Sequence, residues 1–193
     1  MKRILLILLL FVGLSASADE RGEARLDAIS RHYSSLGRYE VSFALRAGGA
    51  EQRGRMLVDG KNSYLKVARM EVFVVDSLRY EVRNDNKEII VDRADAYEKE
   101  LLNSLNGFAA IAADYAIEEC EVDGNVAVRL TPKRTGEPIY IIMGSDGKSV
   151  AKLQYGVGEG RVEVRVTASK KSDESLPIFS KERYKGYELI DFR

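Results

Sequence analysis

Residues 39–92 read YEVSFALRAGGAEQRGRMLVDGKNSYLKVARMEVFVVDSLRYEVRNDNKEIIVD. Tyr39, Val41, Phe43, Leu45 and Ala47 fall on one side of an extended chain, with Glu40, Ser42 and Arg46 on the other. A period of two is the pattern of a strand covered on one face and wetted on the other. Gly48-Gly49 supplies the positive φ angles of a tight hairpin, and Asp59-Gly60 repeats the signal before the next strand. The run therefore predicts a succession of antiparallel strands: Tyr39–Ala47, Gln52–Val58, Ser63–Val67, Met70–Val75, Leu78–Arg83 and Lys87–Asp92. Their apolar sides should merge into one continuous greasy face, with one such side per strand.

Upstream, Lys2 and Arg3 precede an apolar stretch from Ile4 to Val12, and Ser15-Ala16-Ser17-Ala18 follows. A positive flank, a short apolar core and a small-x-small ending describe a secretory leader, with cleavage expected after Ala18. The stretch is too short to cross a bilayer, which needs about 20 apolar residues. Residues 1–18 are thus expected to be a signal peptide and residues 19–193 a single domain. Of the 30 basic and 30 acidic residues, Lys2 and Arg3 belong to the leader, so the mature chain carries a net charge of −2. That balance gives no electrostatic footprint for nucleic acid. Cys120 is the only cysteine; it forms no internal disulfide and no thiolate metal site, and is expected to be a buried small side chain in a strand. No cofactor is implied.

The mature chain opens with a helical stripe of Leu26, Ile29, Tyr33 and Leu36, stopped by Gly37. The lone His32 lies beside the stripe and reads as a surface residue. From Ala94 the period changes again: Tyr97, Leu101, Leu102 and Leu105 share a helical stripe ended by Asn106-Gly107, and Phe108–Ala113 reads as a second short helix. Strands return at Tyr115–Val122, Val126–Thr131, Ile139–Met143, Val150–Tyr155 and Val162–Ala168. Ser169–Ser175 reads as a polar loop and Tyr187–Phe192 as a final strand. Helix, many strands, a helical interruption and more strands make an α+β layer structure. A large curved sheet has more apolar face than so few helices seal, which leaves either a pocket for an acyl chain or apolar peptide, or an ordinary filled core.

Several strings, in order, resemble the outer-membrane lipoprotein carrier protein family, LolA, over nearly the whole mature chain. Residues 24–30 (ARLDAIS) look like its first helix, followed by a strand like Tyr39–Leu45. Residues 54–58 (GRMLV) resemble its G-x-L-x-V strand. Residues 76–80 (DSLRY) look like a shortened D-G-K-T-x-W turn with Tyr80 in the tryptophan's place. Residues 128–133 (VRLTPK) match an L-T-P-K strand ending, and residues 141–147 (IIMGSDG) its strand leading to a D-G turn.

The resemblance implies an unclosed antiparallel β-barrel with an N-terminal helix and short helices as a lid over an apolar cavity. It implies a periplasmic, monomeric carrier that takes the acyl chains of lipoproteins from an inner-membrane ABC lipoprotein-release complex to an outer-membrane receptor. Lining candidates are Val41, Phe43, Leu45, Met56, Val58, Leu65, Val67, Val72, Val74 and Tyr80 from the sheet, with Leu101, Leu105, Phe108 and Ile111 from the lid helices. For each, plain core packing is the alternative role. The chain departs from the family in two places: it has no tryptophan, and the family's K-R-P turn, whose arginine helps hold the lid, reads Asp59-Gly60-Lys61. Lys61 offers a point charge without arginine's planar fork. Two rivals remain: a secreted hydrolase, disfavoured by the single histidine, and an envelope sensor or carrier of another amphiphile, such as a glycolipid, on the same fold.

Overall fold

The computed structural model describes residues 20–93, 115–134, 136–156 and 160–193. The expected leader and the expected lid helices, with Leu101, Leu105, Phe108 and Ile111, lie outside these residues. Helix α1 (residues 20–36) leads into β1 (Tyr39–Ala47), β2 (Ala50–Asp59), β3 (Asn62–Val67), β4 (Met70–Val75), β5 (Leu78–Arg83) and β6 (Glu88–Arg93). After residue 114 come β7 (Tyr115–Val122), β8 (Asn125–Pro132), β9 (Ile139–Met143), β10 (Val150–Tyr155), β11 (Val162–Lys171) and β12 (Glu188–Asp191).

All twelve strands form one sheet in the order β12-β6-β5-β4-β3-β2-β1-β11-β10-β9-β8-β7. Two up-and-down meanders, β1–β6 and β7–β11, are sewn together by the long antiparallel pairing of β1 with β11. Only β12, which runs parallel to β6, breaks the antiparallel pattern of the described strands. The end strands β12 and β7 do not pair with each other, so this large curved sheet is an unclosed barrel. A register shift between Ser42 and Phe43 marks a bulge in the β1–β11 seam, where local twist increases.

The turns follow their local chemistry. Gly48 and Gly49 have φ of +54° and +81°, the two left-handed residues of a primed hairpin turn. At the β4–β5 turn the same left-handed pair is Asp76 and Ser77, at +49° and +81°. Strand limits differ from expectation by one or two residues at β2, β3, β6, β8 and β12, and by three at β11. Lys87 adopts φ +55° in the turn, so β6 starts at Glu88. The segment Ser169–Lys171, expected as loop, continues β11 because Val41, Glu40 and Tyr39 of β1 supply ladder partners for it.

Helix α1 lies on one face of the sheet, called here the inner face. Its stripe of Leu26, Ile29 and Tyr33 is completely buried against β-strand side chains. Gly22 lets the helix approach the edge strand β7: a Cβ there would stand 2.9 Å from Ile117 Cγ2 and 3.0 Å from the Glu118 backbone. Arg25 Nε donates to Glu119 Oε2 at 2.7 Å on the same strand. At the other end the Tyr33 hydroxyl accepts the Val150 N–H of β10 at 3.5 Å, and its ring packs 5.2 Å from Tyr39 of β1. The helix thus crosses the second meander from β7 towards β1. His32 is half-buried, edge-on to Tyr33 at 5.1 Å, rather than fully surface-exposed.

The outer face carries a second core, which the one-sided pattern of the strands does not predict. Leu57, Tyr64, Phe73, Val82, Ile89 and Val91 point outward and are buried beneath Leu176, Phe179, Tyr184 and Tyr187 of the C-terminal segment. Phe179 stacks on Tyr80 at 4.1 Å and 13°, and on Tyr184 at 5.8 Å and 14°. The polar side of this core is closed by Glu71, which accepts the Tyr64 hydroxyl at 2.7 Å and the Arg183 guanidinium at 3.4 Å. Burial, the Glu71 hydrogen bond and its charge push the Tyr64 phenol up, and burial foremost lifts that of Tyr184 to about 12. Cys120 is half-buried on β7 rather than buried, because β7 is an edge strand. Among the described residues no helix is long and apolar enough to cross a membrane.

Candidate functional site: the inner face of the sheet

Antiparallel pairing arranges the inward side chains in rows that run across the strands. One row is Val41, Met56, Leu65 and Val72, from β1 to β4. A second is Tyr39, Val58, Ser63 and Val74. A third is Phe43, Gly54, Val67 and Met70. A fourth runs the other way from Leu45 through Val164, Leu153, Ile141 and Val128, across β1, β11, β10, β9 and β8. Nine of the ten sheet residues proposed from sequence therefore share the inner face, with Leu45 half-buried and the others buried.

Tyr80 does not join them. Its cross-strand partner is Phe73, and both rings lie in the outer core. The alternation of β5 is real, but its apolar side faces outward, because the C-terminal segment covers that half of the sheet. The inner side of β5 carries Arg79, Glu81 and Arg83 instead, next to Val74, Val72 and Met70 of β4.

These charges form a rim along one end of the apolar rows. Glu81, only 7% exposed, accepts from Arg79 and, at 2.5 Å, from Arg83 Nε. Arg79 also reaches Asp92 of β6 at 3.5 Å. Burial alone would raise the Glu81 carboxyl, yet the hydrogen bonds and charges of the two arginines hold it below the ordinary carboxylate value. The inner face thus passes from an apolar floor to an ionised border within a single strand spacing, about 5 Å.

Two packing details shape the floor. Gly54 lies under the Phe43 ring: a Cβ at that position would stand 2.4 Å from Phe43 Cζ and 2.9 Å from the Lys66 carbonyl oxygen. Phe43 Cζ and Cε2 thus take the space a side chain at position 54 would fill, as aromatics do over a strand glycine. The Tyr39 hydroxyl is fully buried and meets no hydrogen-bond partner among the described residues, and burial drives its phenol well up. An orphan of that kind costs about 1–3 kcal/mol.

Sequence reasoning missed the contribution of the second meander. Val128, Ile141, Met143 and Val150 are buried on the inner face, and Leu153, Val164 and Val166 are half-buried against the same cluster. Their period-two spacing was readable; what the spacing lacked was the β1–β11 seam that puts them on the same side as Val41 and Phe43. Lys61 lies on the β2–β3 turn, where its Nζ pairs with Asp76 of the β4–β5 turn at 3.3 Å, both side chains 73% exposed. Its charge therefore ties two exposed turns together.

No family model and no curated protein sequence matches the chain. Among solved structures it is similar to an uncharacterized conserved protein from Thermus thermophilus, with a TM-score of 0.54 and 8% identity, over 88% of this chain and 98% of that one. MucB matches with a TM-score of 0.48 and 14% identity over 89% of this chain, which spans 66% of MucB. A domain from Vibrio parahaemolyticus named for outer membrane lipoprotein sorting matches with a TM-score of 0.42 and 9% identity, over 86% and 97% of the two chains. At such identities the likeness is one of fold, and the near-complete span of the Thermus protein shows that this open sheet architecture is shared with a solved protein.

Proposed function

We propose that this chain is an envelope carrier of amphiphiles, and that its cargo is the acylated end of lipoproteins. In this reading it works without catalysis, between an inner-membrane ABC release complex and an outer-membrane receptor, after export of the chain to the periplasm. The observation that supports it is the continuity of the inner face: four cross-strand apolar rows spanning β1–β4 and β8–β11, bounded by the Arg79–Glu81–Arg83 rim. Shielding one acyl chain of about 16 carbons from water is worth on the order of 10 kcal/mol. A wall made mostly of aliphatic side chains supplies that shelter with few polar groups, the Ser63 and Tyr39 hydroxyls among them, to fix a single pose. The ionised rim suits the end of the cargo that is not hydrocarbon.

The test is site-specific photo-crosslinking. A photoreactive residue at Leu45 or Val164, half-buried on the inner face, should capture purified triacylated lipoprotein. The same residue at the exposed position Lys181, in the C-terminal segment that covers the outer core, should not. An environment-sensitive apolar dye should bind the protein and be expelled by the lipoprotein. Equal capture from both faces, with no displaceable dye, would remove the carrier reading. Capture of a soluble unacylated peptide from the inner positions would replace it with an envelope sensor.

A further inference from the structure

The outer half-face that the C-terminal segment leaves bare carries a charged groove. Along its floor run the small residues Ser42, half-buried, and Ala44, buried, of β1, with the exposed Ala168 of β11 directly opposite Ser42. On one flank, β2 presents Arg53 and Arg55, and Lys66 of β3 pairs in register with Arg55. On the other flank, β11 presents Arg165, and Lys152 of β10 pairs in register with it. Arg53 and Arg165 both face Ala44, so the two basic flanks stand two strand spacings apart, about 10 Å.

Like charges placed directly opposite on neighbouring strands are unfavourable, and here the sheet tolerates two such pairs around one strip of small residues. Local rules broken in a cluster point to use rather than to folding. Carboxylates hold part of this charge: Glu40, on the same side of β1, accepts the Ser42 hydroxyl at 3.3 Å and lies 3.9 Å from Arg55, and Glu71 stands in register with Lys66 but accepts from Tyr64 and Arg183. Glu51 meets Arg165 at 3.4 Å and Asp123 meets Lys152 at 3.4 Å. Among the described residues no carboxylate makes an ion pair with Arg53 or Lys66, and both are exposed, although Glu71 stands opposite Lys66 in the ladder.

The chain itself displays the kind of ligand that fits. Glu174, arriving from the extended stretch after β11, places both carboxylate oxygens on Arg55, at 2.9 and 3.1 Å. One docked carboxylate at the end of the groove leaves the remaining cations, Arg53 and Lys66 above all, for others in line with it. We propose that this groove docks an acidic, extended segment of a partner protein, laid along β1. A narrow strip with no protruding apolar side chain between its cations suits a single polypeptide better than a flat lipid surface. The inference does not depend on what the inner face carries.

A fluorescein-labelled peptide of alternating glutamate and serine, about a dozen residues long, serves as the probe. Fluorescence anisotropy at low salt should show saturable binding that weakens as salt rises. The double variant R53E/K66E should lose at least tenfold in affinity. The double variant K181E/K185E, with the same change in net charge at exposed positions of the C-terminal turn, should bind as the parent does. All four positions are exposed, and circular dichroism verifies that both variants fold. An equal loss in the two variants would reduce the effect to net charge and overturn the proposal. So would the absence of saturable binding, or capture of phosphatidylglycerol vesicles through Arg53 and Lys66 without capture of the peptide.

Discussion

Replacing Gly54 by alanine is the sharpest probe of the inner face, because the structure sets both its sign and its coupling. The added methyl would lie 2.4 and 2.6 Å from Cζ and Cε2 of Phe43 and 2.9 Å from the Lys66 carbonyl oxygen. The carbonyl belongs to the β2–β3 ladder and cannot retreat without breaking pairing, so the ring must move. Forcing a methyl into packed space costs about 1–3 kcal/mol. For a chain of this size that is a fall in Tm of roughly 2–12 °C, at about 2–4 °C per kcal/mol. Phe43→Leu deletes the two ring atoms that the methyl meets. In that background Gly54→Ala should cost at least about 1 kcal/mol less than in the parent, which makes the double-mutant cycle strongly non-additive. Urea titrations of the four proteins, with m-values compared to confirm a common unfolded state, measure the coupling. Additive costs within about 0.5 kcal/mol would mean that Phe43 does not cover Gly54. The Phe43–Gly54 register, and with it the whole set of inward residues, would then be wrong by one position.

Glu81→Gln tests the ionised rim. A carboxyl whose value is held low stabilises the fold above its unfolded value, near about 4.3, and loses that contribution as pH falls through the folded value. Parent protein should therefore weaken steeply below about pH 4, whereas the glutamine variant, about 1–3 kcal/mol weaker at neutral pH, should show a flatter acid limb in urea unfolding. Ser77→Gly relieves a left-handed residue at φ +81° in the β4–β5 turn and should stabilise by about 1 kcal/mol; no gain would place the turn in another conformation. Phe179→Ala removes the half-buried ring stacked between Tyr80 and Tyr184 and should cost about 3 kcal/mol, with a weaker near-ultraviolet tyrosine signal. An unchanged signal together with unchanged stability would argue against the outer core.

Most strand limits were legible because hairpin chemistry is local. Tyr39–Ala47, Met70–Val75, Leu78–Arg83, Tyr115–Val122, Ile139–Met143 and Val150–Tyr155 stand where alternation and turn residues put them. Which way an alternating strand faces is not local. On β1 the apolar set looks inward, as its alternation predicts. On β5, the string Arg79-Tyr80-Glu81-Val82-Arg83 alternates just as cleanly, and its apolar members look outward. The deciding element is Phe179, about a hundred residues away in sequence, between the polar loop Ser169–Ser175 and the expected last strand, in a stretch with no periodic pattern of its own. The same distance hid the parallel β12, since nothing in residues 188–191 announces β6 as a partner. Half-buried Leu153 and Val164 were missed for a related reason: their strands are readable, but the β1–β11 seam that joins them to Leu45 is a contact between opposite ends of the chain.

That two-core arrangement bears on how a carrier of this build would operate. A surface that must take up and give back a greasy ligand cannot also be the main source of folding energy, or release would loosen the fold. Here the first meander has an independent anchor: Leu57, Phe73, Val82 and Ile89 are almost completely buried on the outer side by the chain's own C-terminal segment. The second meander has another, since α1 clamps it through Leu26, Ile29 and Tyr33 and through the Arg25–Glu119 pair. The inward rows on β1–β4 are buried in one cluster with α1 and the second meander, so a carrier of this build would have to lean on these two anchors while it exchanged one apolar cover for another. Truncations of the outer core should therefore lower stability with little change in dye affinity once folding is restored at low temperature. Truncations at Leu45 or Val164 should do the reverse. A pair of variants in which both properties always fell together would show one cooperative core, and the separation of folding from cargo exchange would be lost.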